Sequence, residues 1–118
     1  MLLQGMRVLQ VLMQKALAEM IGTFAMIFVG VSSITLSEKY PHTFPPITIP
    51  VAWGTTIALM IIVWGGTSGA HFNPAVTLAL TAAKRSPAAL LPIYWGSQLI
   101  GGLIAIVALE GLKKLGVF

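Results

Sequence analysis

The stretch Ser68–Leu80, SGAHFNPAVTLAL, decides how this chain is read. It follows an apolar run long enough to cross a bilayer, yet it carries a histidine, an asparagine and a proline, and it occurs once. Asn73 is a favoured helix N-cap, and Pro74 suits the first helical position, where an N–H would have no partner. The apolar residues Ala75–Ala83 continue as helix. About ten residues at 1.5 Å rise cover roughly 15 Å, half the hydrocarbon thickness. The segment 67–83 is therefore expected to be re-entrant: it enters the membrane, starts a half-helix there and returns to the side it left, at Lys84 and Arg85.

Working outward, three windows are apolar enough to span: about 16–36, 47–66 and 88–109. Hydrophobic residues make up 57% of the chain and charged residues 8%, against roughly 25% charged in soluble domains. With a mean hydropathy of +0.91, the expected class is an all-α integral membrane protein of three transmembrane helices and one re-entrant half-helix. The loop SEKYPHTFPP, Ser37–Pro46, is rich in turn formers and belongs in water or headgroups. Residues 1–15 have one early Arg and no small-residue cleavage site, so they read as a retained interfacial segment, and 111–118 as a tail.

Composition also excludes. There is no cysteine, and the two histidines and three carboxylates are scattered, so neither a metal site nor a cofactor nor hydrolytic chemistry is expected. Seven basic residues sit singly or in pairs with no stripe that could track phosphates, which excludes nucleic acid. With the N-terminus on one side, that side collects Arg7, Lys15, Lys84 and Arg85 and the other Lys39, Lys113 and Lys114. Because Lys/Arg bias sets orientation, so even a split allows insertion both ways. Small residues recur at four-residue spacing, Ala18 and Gly22, Gly54 and Ala58, and Ser97, Gly101 and Ala105, which permits close helix packing.

At the tip, the Asn73 oxygen can cap N–H groups near Ala75 and Val76 while its NH₂ still offers two donors. An ionised Asp would cap without donating. The half-helix N-terminus adds partial positive charge, so the tip can bind a solute oxygen and repel cations.

SGAHFNPAVT resembles the first Asn-Pro-Ala loop of the aquaporin and glycerol-facilitator family. AEMIGTFAMIFVG (Ala18–Gly30) is similar to that family's first helix, VAWG (Val51–Gly54) to its second and PIYWGSQLIGG (Pro92–Gly102) to its third. VAWG together with SGAHFNPAVT looks closest to the plant nodulin-like intrinsic proteins and their bacterial relatives. The resemblance covers nearly all of residues 16–110, one aquaporin-like repeat. It implies a passive, non-enzymatic pore for small uncharged solutes such as water or glycerol, in the plasma or inner membrane.

The family carries two inverted repeats per chain, whose half-helix tips meet at the pore centre. This sequence has one. Either it is a fragment or it is a half-channel completed by another copy. An unpaired re-entrant tip leaves polar backbone in hydrocarbon at several kcal/mol per group, which favours an antiparallel homodimer. By the family's pattern four pores assemble, eight chains in all. The resemblance places Trp53 of one copy at each mouth with Ile61, Ala70 and Val76 of its partner, Val76 standing where the family usually has an Arg. Gly69, His71, Asn73, Pro74 and Ala75 complete the expected pore set. Glu19, by the same resemblance, accepts backbone N–H groups of the re-entrant loop; Lys15, one turn earlier, is an alternative partner. For His71 a hydrogen bond within the loop is expected over a metal or proton-relay role. Trp53 as a lipid-interface anchor is its competing reading, and Trp64, Trp95 and Tyr94 read as interface or packing aromatics. The rival functions are a non-conducting scaffold or relic, a partner of a different half-repeat protein, and a proton-coupled transporter or enzyme built on Glu19 and His71.

Overall fold

The computed structural model describes all of residues 1–118, and its regular structure is entirely helical. Helix α1 runs Leu2–Lys39, α2 Thr48–Ser68, α3 Pro74–Ala82 and α4 Leu91–Lys114, the last entered through a 3₁₀ turn at Ala88–Leu90. α1, α2 and α4 with its turn are long and apolar enough to cross a membrane; the nine residues of α3 are not.

The first helix starts earlier than the sequence reading places it. No break separates residues 1–15 from the span: α1 is one helix of 38 residues, about 57 Å long at 1.5 Å per residue. It sets the 59 Å long axis of the molecule. The reason is local. Residues 2–15 contain no proline and are mostly Leu, Gln, Met, Arg and Lys, all good helix formers, with a single Gly5. α4 likewise continues past residue 109 to Lys114, its last turn holding a Lys113–Glu110 ion pair at 3.0 Å.

α1 is the central element, with α2 and α4 each packed on it and α3 packed on α4. Gly101 of α4 faces the backbone carbonyl of Met20, leaving no room for a Cβ, and Ala18 and Ala105 are fully buried. Gly22 lies under the Phe72 ring and Gly30 under the Trp53 indole. Gly54, in a row of the same spacing, has nothing near it, and Ala58 is exposed. Small-residue spacing thus marks the α1–α4 contact, whereas the α2 row faces outward.

Polarity is distributed as a bilayer demands. The buried residues include Glu19, Thr23, Ser33, Thr56, Thr77, Ser97 and Gln98, while large apolar side chains such as Ile62, Leu103 and Val107 are exposed. Against lipid, apolar burial gives helices no reason to associate; close small-residue packing and interhelical hydrogen bonds do.

Candidate functional site

The chain enters the site at the C-terminus of α2. Gly69 takes φ +84 and donates its N–H to Gly65 O, a left-handed helix stop that glycine adopts without strain. Ala70 and Phe72 follow at φ 52 and 53. Each such non-glycine residue costs on the order of 1–2 kcal/mol, so this path needs something to hold it.

Glu19 holds it. The side chain is fully buried on α1. Its Oε1 accepts from Ser68 Oγ at 2.7 Å and His71 N at 3.0 Å. Its Oε2 accepts from Phe72 N at 2.7 Å and Gln98 Nε2 at 2.9 Å. Two backbone amides of the loop, one residue from α2 and one from α4 therefore converge on a single carboxyl. Lys15 does not pair with Glu19; its Nζ donates to Thr67 O at 3.1 Å, placing a cation at the carbonyl end of α2, where the helix dipole favours one.

A second node is Thr77, fully buried on the inner face of α3. Its Oγ1 accepts from Gln98 Nε2 at 2.9 Å and lies 3.0 Å from His71 Nδ1 and 3.2 Å from Asn73 O. His71 also packs edge-on against Tyr94, with ring centroids 4.8 Å apart. The Tyr94 hydroxyl donates to Ser68 O at 2.5 Å. From the next residue of α4, Trp95 Nε1 donates to Pro74 O at 3.0 Å. Tyr94, Trp95, Gln98, Thr77 and Ser68 are supports of the loop and half-helix that sequence reading missed. Tyr94 and Trp95 read as ordinary packing aromatics; a buried Gln in a membrane span, expensive unless paired, was the available signal.

The half-helix begins as its grammar dictates. Asn73 sits in extended geometry, φ −154 and ψ 125, with Pro74 in the first turn. Asn73 Oδ1 accepts from Ala75 N at 2.8 Å. Its NH₂ group is engaged by nothing in the chain, and the residue is exposed. The carbonyls of Gly69, Ala70, His71 and Phe72 receive no backbone N–H. The tip thus presents one free donor group beside a row of free acceptors.

Beside the tip lies an open groove of about 610 Å³ bounded by α1, α2 and α4. Trp53, Phe72, Asn73, Pro74 and Gln98 reach it, together with the apolar Met26 and Leu103, and none of its residues carries a charge. The structure therefore brings Trp53 and Asn73 to one groove. Ile61, Val76, Ala70 and Gly69 do not line it; Ile61 and Val76 are 48% and 40% exposed on the outer surface. Ile61 lies about 12 Å from Trp53 along α2 at 1.5 Å per residue.

A family profile described as "MIP: Major intrinsic protein" matches residues 6–116. The chain is 42% identical over 99 residues to Aquaporin NIP3-1 of Arabidopsis thaliana, covering 82% of this chain and 30% of that protein. It is 40% identical over 95 residues to Nodulin-26 of Glycine max, covering 79% and 34%, and 43% identical over 99 residues to "Probable aquaporin NIP4-2" of Arabidopsis thaliana, covering 84% and 35%. The chain spans about a third of the length of these relatives. With three spanning helices, a capped half-helix between the second and third, and a profile match over almost its whole length, this multi-pass membrane protein belongs to the major intrinsic protein family.

Proposed function

We propose that the protein is a passive membrane channel for small uncharged solutes, water, glycerol or similar, formed by two copies inserted in opposite orientations, each supplying one Asn73–Pro74–Ala75 half-helix. One observation carries the reading: Asn73 uses its oxygen to cap Ala75 N–H and leaves its NH₂ free beside an uncharged groove. A cap alone needs only the oxygen. The remaining donors, with the free carbonyls before them, suit a solute that both donates and accepts, and the half-helix dipole disfavours cations. Relatives named aquaporins point the same way.

The second copy follows from what one chain leaves open. The tip and its groove are uncovered, and polar backbone facing lipid costs several kcal/mol per group. An inverted copy would place its own tip there, and the even Lys/Arg split permits both insertions. Each mouth then combines Trp53 of one copy with Ile61, Ala70 and Val76 of the other, and four such pores give eight chains in the plasma or inner membrane. Such a mouth has no Arg, so it is wide and apolar, with room for a polyol to slide along the Trp53 indole.

The test is stopped-flow osmotic response of vesicles containing the purified chain, under glycerol and sorbitol gradients. Asn73→Asp retains the cap oxygen, removes both donors and adds a charge at the tip. Glycerol flux is expected to vanish while thermal stability is unchanged; flux equal to wild type refutes the pore reading. Labelling of the termini in native membranes is expected to find both on both faces, and a single fixed sidedness refutes the inverted dimer.

A further inference from the structure

The turn joining α3 to α4 borders a second, open cavity of about 400 Å³ at the surface, lined by Thr81, Lys84, Arg85, Ser86, Pro87 and Ala88. Its two cations have no counter-ion within the chain. Of the three carboxylates, Glu19 is committed to the re-entrant loop, Glu110 pairs with Lys113, and Glu38 lies at the far end of α1. The turn is held in place by Lys84 N–H donating to Thr81 O and by Arg85 and Ser86 N–H donating to Leu80 O. Two uncompensated cations, Lys84 and Arg85, and the serine Ser86 thus border one cavity.

Its depth, on the re-entrant reading of α3, favours one kind of occupant. With Asn73 at the bilayer centre, the nine residues of α3 carry the chain about 14 Å outward, to the edge of a hydrocarbon core roughly 30 Å thick. The lipid phosphates lie just outside that edge, within reach of long Lys and Arg side chains. We propose that this cavity binds the phosphate group of an anionic phospholipid in the leaflet it faces, Arg85 and Lys84 supplying charge-assisted donors and Ser86 a neutral one. The depth rests on the re-entrant reading of α3, and the site itself does not depend on conduction.

Native mass spectrometry of the full chain, extracted from vesicles of phosphatidylcholine and phosphatidylglycerol in equal amounts, tests it. Wild type is expected to retain phosphatidylglycerol preferentially. The double variant Lys84→Gln, Arg85→Gln is expected to lose that preference by about fivefold for each cation. Lys113→Gln with Lys114→Gln, which removes the same charge elsewhere, is expected to leave it intact. Equal loss in both double variants, or loss in neither, overturns the proposal. So does an adduct of added inorganic phosphate on the detergent-solubilised chain with no phosphatidylglycerol preference in vesicles. Glycerol flux through the same vesicles separates the two readings: preference without flux defeats the channel and spares the lipid site, and flux without preference does the reverse.

Discussion

Changing Glu19 to Gln keeps the shape of the side chain and turns one acceptor oxygen into a donor. Both oxygens now receive two hydrogen bonds, Oε1 from Ser68 Oγ and His71 N, Oε2 from Phe72 N and Gln98 Nε2. Whichever position the new NH₂ takes, it faces two donors. If it replaces Oε1, the Ser68 hydroxyl can rotate to accept, and His71 N–H is left bare. If it replaces Oε2, Gln98 can turn its amide over, presenting the buried oxygen that now has no partner, and Phe72 N–H is left bare. Either way one backbone amide loses its acceptor, which costs about 1–3 kcal/mol. Glu19→Ala strips all four donors, and neither backbone amide can be rescued, so the loss is about 2–6 kcal/mol from those two alone. Thermal unfolding in detergent, followed by circular dichroism, should rank wild type above Glu19→Gln and Glu19→Ala lowest. Equal stability of the three proteins refutes the claim that this carboxyl anchors the loop.

The glycines give two further expectations. Gly101→Ala drives a Cβ into the Met20 carbonyl, which no rotamer change relieves, and should lower stability by about 1–3 kcal/mol. Gly54→Ala, with nothing nearby, should be neutral or stabilising by up to about 1 kcal/mol, and the pair is compared by the same melts. Gly30→Val should push the Trp53 indole off α1 toward the groove, so vesicle assays are expected to show glycerol flux falling more than water flux; an unchanged ratio counts against Trp53 as a wall of the mouth.

What the sequence made legible was whatever local rules dictate. The half-helix showed itself through an N-cap, a proline at its first position and an apolar run too short to span, all within eleven residues. The three spans showed through length and polarity. What stayed hidden depends on distance along the chain: Gln98 meets Glu19 across 79 residues and Thr77 across 21, and no periodicity records such a meeting. Spacing has the same blind spot. The rows Gly54/Ala58 and Gly101/Ala105 look alike in sequence, yet only the second packs against a neighbour. The early start of α1 was missed for a different reason, since interfacial and spanning residues can share one helix when nothing between them breaks it.

The way the site is held bears on how wide the mouth of the proposed pore can be. The polar network ties the loop to α1 through Glu19 and to α4 through Gln98, Tyr94 and Trp95. Helix α2 has polar ties to its neighbours only at its last two residues, Thr67, whose carbonyl accepts from Lys15 Nζ, and Ser68, whose Oγ donates to Glu19. Farther up α2, Trp53 leans on Gly30 and Thr56 turns its hydroxyl back onto Ala52 O within the same helix, so no side-chain hydrogen bond crosses to α1 there. The tip of the half-helix is therefore fixed by polar contacts, and the helix that carries Trp53 is positioned by packing. Packing between apolar surfaces in lipid is weak and shape-dependent. Whatever covers the outward face of α2 then helps set the position of the indole, and with it the aperture. In the proposed assembly this makes solute width a property of contacts between copies, whereas the Asn73 donors belong to each chain alone.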